Sequence, residues 1–130
     1  AQYFAGPSAP WMQWIGNNNE GMDARTQARM LTAALSAYQL GTSATKAAWA
    51  AQLRNLLPRL LATQAADGAY RYVDQCGYDK PFMDGIQNDA FIRYYATFEA
   101  DARIPAAVKR SVDYLWRSSW IGSGLGFSYI

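Results

Sequence analysis

The sequence contains no histidine and a single cysteine, Cys76, among its 130 residues. One cysteine excludes an internal disulfide, and without histidine the chain has no cluster of nitrogen and sulfur ligands for a structural zinc ion. The lack of histidine also removes the most common general base near neutral pH, which excludes serine and cysteine triads of the usual kind. Any acid–base chemistry must therefore use carboxylates, tyrosine or lysine, and we expect neither a metal ion nor a cofactor.

Long apolar runs and runs of like charge are also missing. No stretch approaches the roughly 18 uninterrupted apolar residues of a transmembrane helix, so we expect a soluble protein with no membrane partner. The 12 basic and 10 acidic residues are scattered and leave a net charge of +2, which argues against nucleic acid as a partner. The start at Ala1 is compatible with signal-peptide cleavage, loss of an initiator Met or trimming of a longer chain, and the first of these would make the protein secreted or periplasmic.

Apolar and aromatic side chains, by contrast, are abundant and follow a helical period. Hydrophobic residues make up 51% of the chain and aromatic residues 15%, which suffices for one core at this length. The apolar residues recur at spacings of three and four, as is typical of amphipathic helices. We predict a single all-α domain over 1–130 made of two antiparallel helical hairpins, with main helices at 23–40, 43–65, 81–100 and 104–118.

Three segments outside these helices contain many residues that disfavour regular structure. Residues 1–22 hold several Gly, Pro and Asn residues and predict an irregular arm, which the large apolar side chains of Trp11 and Trp14 should pack onto the helices. Residues 69–80 lack a helical period and predict a substantial loop. Residues 119–130 predict a Gly- and aromatic-rich tail, either an ordered loop or a short extended piece.

Individual residues predict how the helices begin, end and pack. Asp23 should cap the first helix, and Gly41 should end it in the left-handed conformation. Pro58 predicts either a kink or two abutting helices. Apolar residues cover most of the circumference of the third helix, so we expect it to be the most buried, with another backbone crossing close to Gly85.

Charged residues in the last two helices are expected to be structural. Asp84 lies in the first turn of the third helix, where the helix dipole favours a carboxylate. Asp89 is four residues before Arg93 on the same helix, and a lysine and an aspartate have the same spacing on the fourth helix, so both pairs predict ion pairs within a helix.

Two short phrases give the chain a resemblance to a known family. The first hairpin ends in QAADGAY, residues 64–70, and the second opens with KPFMDGI, residues 80–86. Together with the helical rhythm over roughly 23–120, they resemble the (α/α) toroid carbohydrate-active enzymes, which are glycoside hydrolases and polysaccharide lyases built as rings of helical hairpins. Two hairpins do not close a ring. The resemblance therefore implies a part or a relative of such an enzyme, a homo-oligomer that rebuilds a larger helical layer, or an unrelated bundle.

The resemblance also implies a site on particular loops. In these toroids the substrate groove lies over the loops at one end of the inner helices, which here correspond to the first and third helices, so the loops 11–22 and 69–80 should lie side by side. Their rings and hydrogen-bonding groups suit the flat faces and hydroxyls of sugars. The substrate-binding residues would be Trp11, Trp14, Asn18, Tyr72, Tyr78 and Lys80. Glycoside hydrolysis commonly needs two carboxyl groups, which Glu20 could form with Asp74 or Asp79.

Two alternatives remain open at this stage. A lyase would instead use a tyrosine such as Tyr78 beside Lys80. In the other interpretation the Trp residues only hold the arm on the core and the polar residues only make turns. The chain would then be a non-catalytic helical interaction module, whose exposed aromatic residues are buried against a second copy or another protein.

Overall fold

A computed structural model of the chain describes residues 23–70 and 80–128. These residues form four α-helices and one small antiparallel β-hairpin. The helices are α1 (Ala24–Leu40), α2 (Ser43–Leu61), α3 (Pro81–Thr97) and α4 (Arg103–Ser118), and the strands are β1 (Trp120–Gly122) and β2 (Gly126–Phe127). The prediction of an all-α protein with two helical hairpins is confirmed, and the short extended piece expected in the tail is the β-hairpin.

The helix α1 begins at the predicted cap. The carboxylate of Asp23 accepts a hydrogen bond from the backbone N–H of Thr26 at 2.6 Å, which satisfies one of the donors that a helix start leaves without a partner. The expected left-handed end is wrong, because Gly41 has an extended backbone with φ −68° and ψ 150°. Glycine is needed there for space: a Cβ atom would lie 2.8 Å from the carbonyl oxygen of Ala37.

The helix α2 passes through Pro58 without interruption, so the alternative of two abutting helices is wrong. It ends at Leu61, short of the predicted residue 65. The chain turns instead, with the backbone N–H of Ala65 bonded to the carbonyl of Ala69 at 2.8 Å. The helix α3 likewise ends at Thr97, before the predicted residue 100.

Contacts between the helices fix their directions. The helix α1 packs against both α2 and α3, and α4 packs against α3. Thr63, just after α2, donates to the side chain of Gln27 near the start of α1 at 3.0 Å, so α1 and α2 are antiparallel. The rings of Tyr38 and Phe98, at the C-terminal ends of α1 and α3, meet edge to face at 4.9 Å. The helices α1 and α3 are therefore parallel and begin at the same end of the bundle.

The core is a single cluster of buried side chains to which all four helices contribute, α4 through Ile104. Its members are apolar side chains with almost no exposed surface, and each contributes about 1.5–3 kcal/mol through burial. The largest are Leu31, Leu53, Leu56, Leu57, Leu60, Phe91 and Tyr94.

The two hairpins are in close contact at Gly68, in the turn that follows α2. Its φ of +108° is one that residues with a side chain rarely adopt, and a Cβ atom here would lie 2.2 Å from the carbonyl oxygen of Arg110 on α4. Gln64 supports the same joint, since its Nε2 donates to the carbonyl oxygen of Ala107 at 2.8 Å. The end of the first hairpin thus lies directly on α4.

The helix α3 has more buried residues than any other helix, as expected. Its buried face, however, is not its most apolar face. The polar Asp84, Gln87 and Asn88 are buried, whereas Ile86 and Ile92 are exposed. The expected backbone crossing at Gly85 is wrong, because no atom lies within 4 Å of where its Cβ would be.

The predicted ion pairs within helices are present. Asp89 accepts from Arg93 at 2.7 Å and Asp113 from Lys109 at 2.5 Å, each across one helical turn. No helix among the described residues has the length and apolar character needed to cross a membrane.

Candidate functional site

Most of the residues predicted to act on a substrate lie outside the described residues. They are Trp11, Trp14, Asn18, Glu20, Tyr72, Asp74, Tyr78 and Asp79. The pairing of Glu20 with Asp74 or Asp79 therefore stays a prediction. The remaining residue, Lys80, is partly buried at the N-cap position of α3, where its carbonyl oxygen accepts from the backbone N–H of Met83 at 2.8 Å.

The described residues that flank the two predicted loops lie at one end of the bundle. The first loop leads into Asp23 at the start of α1, and the second connects Tyr70 with Lys80 at the start of α3. The segment 63–70 spans these two helix starts, because Thr63 bonds to the first helix and Tyr70 to the first turn of the third. We call this the loop-bearing end.

Under this end lies a group of polar side chains that we call the buried polar cluster: Tyr70, Asp84, Gln87 and Asn88. All four are buried, and Gln87 has no exposed surface. The backbone N–H of Tyr70 donates to the Asp84 carboxylate at 3.5 Å, and Asn88 Nδ2 donates to Ser111 Oγ on α4 at 2.9 Å. The cluster therefore connects the end of the first hairpin, α3 and α4.

Part of the hydrogen-bonding capacity of the buried polar cluster is unused. The Tyr70 hydroxyl, both amide atoms of Gln87 and the Asn88 Oδ1 have no hydrogen-bond partner. An unsatisfied buried polar group costs about 1–3 kcal/mol, so natural chains retain few of them. Burial raises the pKa of Tyr70, and the nearby Asp84 carboxylate raises it further. The Tyr70 hydroxyl thus keeps its proton and remains a hydrogen-bond donor.

A second feature is a cluster of aromatic rings on the surface, Trp116, Trp120 and Phe127, which we call the aromatic platform. The two indoles stack with ring centroids 4.7 Å apart and planes 12° apart, and Phe127 meets both edge-on. The antiparallel register that pairs Trp120 with Phe127 holds two of the rings together. Trp116 nevertheless remains 57% exposed.

A groove of about 390 Å³ connects this platform with the start of α3. It is lined by Pro81, Phe82, Gly85, Leu115, Phe127 and Ser128. The open space at Gly85 forms part of it, and Phe127 belongs to both the groove and the aromatic platform. A shallower concavity beside the platform contains Val112, Asp113, Trp116 and Arg117, so a carboxylate and a guanidinium lie next to an exposed indole.

Sequence reasoning missed both features. The buried polar cluster has a detectable signal, because Asp84, Gln87 and Asn88 lie at helical spacings of three and four, on the face that also contains Phe91. The platform has a weaker signal. Trp116 and Trp120 are four residues apart, but the helix ends between them at Ser118, and the contact of Phe127 depends on the register of the strands.

The part of the chain that the structure describes contains no group of three His, Cys, Asp or Glu residues placed to hold a metal ion. Comparison of the chain with protein-family models, with curated proteins and with solved structures found no match. The proposed function therefore rests on the residues and their arrangement.

Proposed function

We propose that the chain is part or a relative of a carbohydrate-active (α/α) toroid enzyme and that it binds a glycan at the loop-bearing end. The supporting observation is the layout of the helices. The helices α1 and α3 are parallel and in contact, and each packs against its own partner, α2 or α4. This is how inner and outer helices alternate in a toroid. It brings the flanks of both predicted loops to one end.

The buried polar cluster supports the choice of this end. A helical bundle that only had to fold would fill these positions with apolar side chains, because each unsatisfied polar atom destabilises it. Departures from the usual burial pattern are expected where a protein binds or reacts. The cluster lies directly below the points where residues 71–79 leave and rejoin the described structure, at Tyr70 and Lys80.

The proposed chemistry uses the predicted loop residues. In a hydrolase, one carboxyl group of the pair Glu20 with Asp74 or Asp79 would protonate the leaving oxygen, and the other would act as base or nucleophile. In a lyase, Tyr78 beside Lys80 would take the proton. Trp11, Trp14, Tyr72 and Asn18 would hold sugar rings and hydroxyls. Fold-level likeness does not transfer an activity, so the proposal commits to glycan binding and leaves catalysis to the assay.

The test is calorimetric titration of the protein with cello-, xylo-, manno- and laminari-hexasaccharides. We expect one of them to bind, and the changes Trp14→Ala and Tyr78→Ala each to weaken binding about tenfold or more, the loss of one stacking contact. Tyr95→Ala is the matched control, because Tyr95 is an exposed ring on α3 far from its start. If the wild-type protein binds none of these sugars, or if both loop variants bind like the control, glycan binding at these loops is refuted.

The interaction module remains a second proposal, because the second hairpin exposes apolar side chains. Ile86, Ile92 and Val112 lie on the surface of α3 and α4, and exposed apolar patches mark association sites. Light scattering behind a sizing column separates the two proposals. A mass of 14.4 kDa at all concentrations contradicts self-association, whereas a larger mass that Ile92→Ala abolishes without changing sugar affinity supports it.

A further inference from the structure

We infer that the aromatic platform and the adjoining groove form a sugar-binding subsite whose lining includes none of the predicted loop residues. A pyranose unit would stack on the exposed indole face, and the neighbouring unit of the same glycan would lie in the groove at Gly85. This inference rests on the proposed function for the class of ligand, which is a glycan. It adds a second binding position, formed by α3, α4 and the β-hairpin.

The platform has the shape that a pyranose ring recognises. The C–H groups on one face of a sugar form a flat apolar surface, which packs against the electron-rich face of an aromatic ring. The ring planes of Trp116 and Trp120 are 12° from parallel and the rings are stacked, so each indole covers one face of the other and a sugar would pack on the outer face of Trp116. Phe127 meets both from the side and fixes them, while Trp116 keeps 57% of its surface open. The same rings packed in a hydrophobic core would keep no exposed surface of this size.

The polar groups beside the platform suit hydroxyls better than an apolar protein surface. Asp113 and Arg117 share a concavity with Trp116. Arg117 also donates to the carbonyl oxygen of Asp67 at 3.3 Å, and Asp113 is held by Lys109. Sugar hydroxyls donate to a carboxylate and accept from a guanidinium, so both charges keep partners when water leaves. The core of a protein interface is instead depleted of charge.

The groove continues the platform towards the loop-bearing end. It starts at Phe127, which belongs to the platform, and reaches Pro81, the residue after Lys80. Gly85 contributes no side chain to it, and nothing lies within 4 Å of where its Cβ would be. Glycine inside an exposed helix is unfavourable by about 1 kcal/mol relative to alanine, which space for a ligand would explain.

The experiment compares two substitutions at Gly85. Gly85→Ala adds one methyl group that the groove has room for, and Gly85→Leu fills the groove with a side chain that helices also favour. With the hexasaccharide that the wild-type protein binds, we expect Gly85→Ala to retain the affinity within about twofold. Gly85→Leu and Trp116→Ala should each weaken binding about tenfold, the usual scale for one lost stacking or packing contact. Circular dichroism and the melting temperature check that all three variants fold.

The outcomes separate this inference from the proposed function. If Gly85→Leu and Trp116→Ala bind like the wild-type protein while Trp14→Ala does not, the subsite is refuted and the loop site stands. If Trp116→Ala leaves affinity unchanged but lowers the mass in solution, the platform is an interface between copies, and the subsite is likewise refuted. If the wild-type protein binds no hexasaccharide, both the subsite and the proposed function fail.

Discussion

The first hairpin, α1–α2, buries leucines such as Leu31 and Leu56, and Leu40 is the only large apolar side chain it exposes among the described residues. The second hairpin, α3–α4 with the β-hairpin, combines buried apolar residues such as Phe91 and Tyr94 with buried polar and exposed apolar ones. It buries Gln87 and Asn88 and exposes isoleucine, tryptophan and phenylalanine. Two units of the same architecture thus differ in which side chains they bury and which they expose. The first keeps almost all of its large apolar side chains inside, whereas the second also buries unsatisfied polar groups and leaves several large apolar side chains exposed.

The same difference is seen in two local features. The buried polar cluster and the aromatic platform both belong mainly to the second hairpin, at the end where α3 begins. The first hairpin contributes Tyr70 to the cluster through the turn at Gly68. Apolar burial concentrated on one hairpin, with unsatisfied polar groups and exposed rings on the other, is a division that substitutions can test.

The largest effect on the free energy of unfolding is expected when a core side chain of the first hairpin is shortened. Leu56→Ala removes a fully buried side chain from the core and should lower the free energy of unfolding by about 2–5 kcal/mol. Ile92→Ala removes a branched side chain that is 51% exposed on α3, and it should change that free energy by less than about 0.5 kcal/mol. Urea denaturation followed by circular dichroism measures both. Equal losses would show that the two hairpins do not differ in this way.

Smaller changes in the free energy of unfolding, of opposite sign to each other, are expected when two buried glutamines are replaced. Gln27 in α1 accepts a hydrogen bond from Thr63 at 3.0 Å, whereas both amide atoms of Gln87 in α3 lack a partner. Gln27→Met should therefore destabilise by about 1 kcal/mol, and Gln87→Met should stabilise by about 1–2 kcal/mol at nearly constant volume.

The same denaturation experiment compares these two variants directly. If Gln87→Met destabilises as much as Gln27→Met, the amide of Gln87 has a partner in solution, such as an ordered water. The second hairpin would then be as well satisfied as the first, and its polar interior would no longer set it apart.

The helical architecture was predictable because it depends on local patterns. Helix starts, the Asp23 cap and the Asp89–Arg93 pair follow from neighbours within one or two turns. The errors about which residues of α3 are buried came from contacts distant in sequence, whereas those at Gly41, at Pro58 and at the end of α2 concern the local backbone. The sequence of α3 predicts a helix with apolar residues on most of its circumference, but it does not show that Asn88 contacts α4 or that Ile86 and Ile92 are exposed. The open space at Gly85 depends on where the β-hairpin lies, which no local pattern contains.

The candidate site was predictable only in outline for the same reason. That both loop flanks meet at one end was implied by the resemblance to the toroid enzymes. The aromatic platform required the register between Trp120 and Phe127 and the exact end of α4, and helix and strand boundaries are the least reliable feature of any sequence-based assignment.

The smallest predicted effect concerns pH and the turn that joins α3 to α4. The side-chain hydrogen bond from Arg103 lowers the pKa of Asp101 below its ordinary value of 3.8, with the guanidinium bonded to both carboxylate oxygens at 2.9 and 2.7 Å. Because the folded pKa is the lower one, this pair stabilises the protein fully above the ordinary pKa and less as the pH falls through the lowered one. Exposed pairs contribute no more than about 1 kcal/mol, and salt reduces that further.

Asp101→Asn should therefore lower the free energy of unfolding by about 0.5 kcal/mol at neutral pH, in the range for an exposed pair. It should have almost no effect at a pH where Asp101 is protonated. Denaturation at the two pH values measures the difference. If Asp101→Asn instead leaves the free energy of unfolding unchanged at both pH values, Asp101 acts through its bond to the backbone N–H of Arg103 at 2.9 Å, because an amide oxygen accepts that bond nearly as well. A loss at neutral pH that disappears in acid supports the side-chain pair.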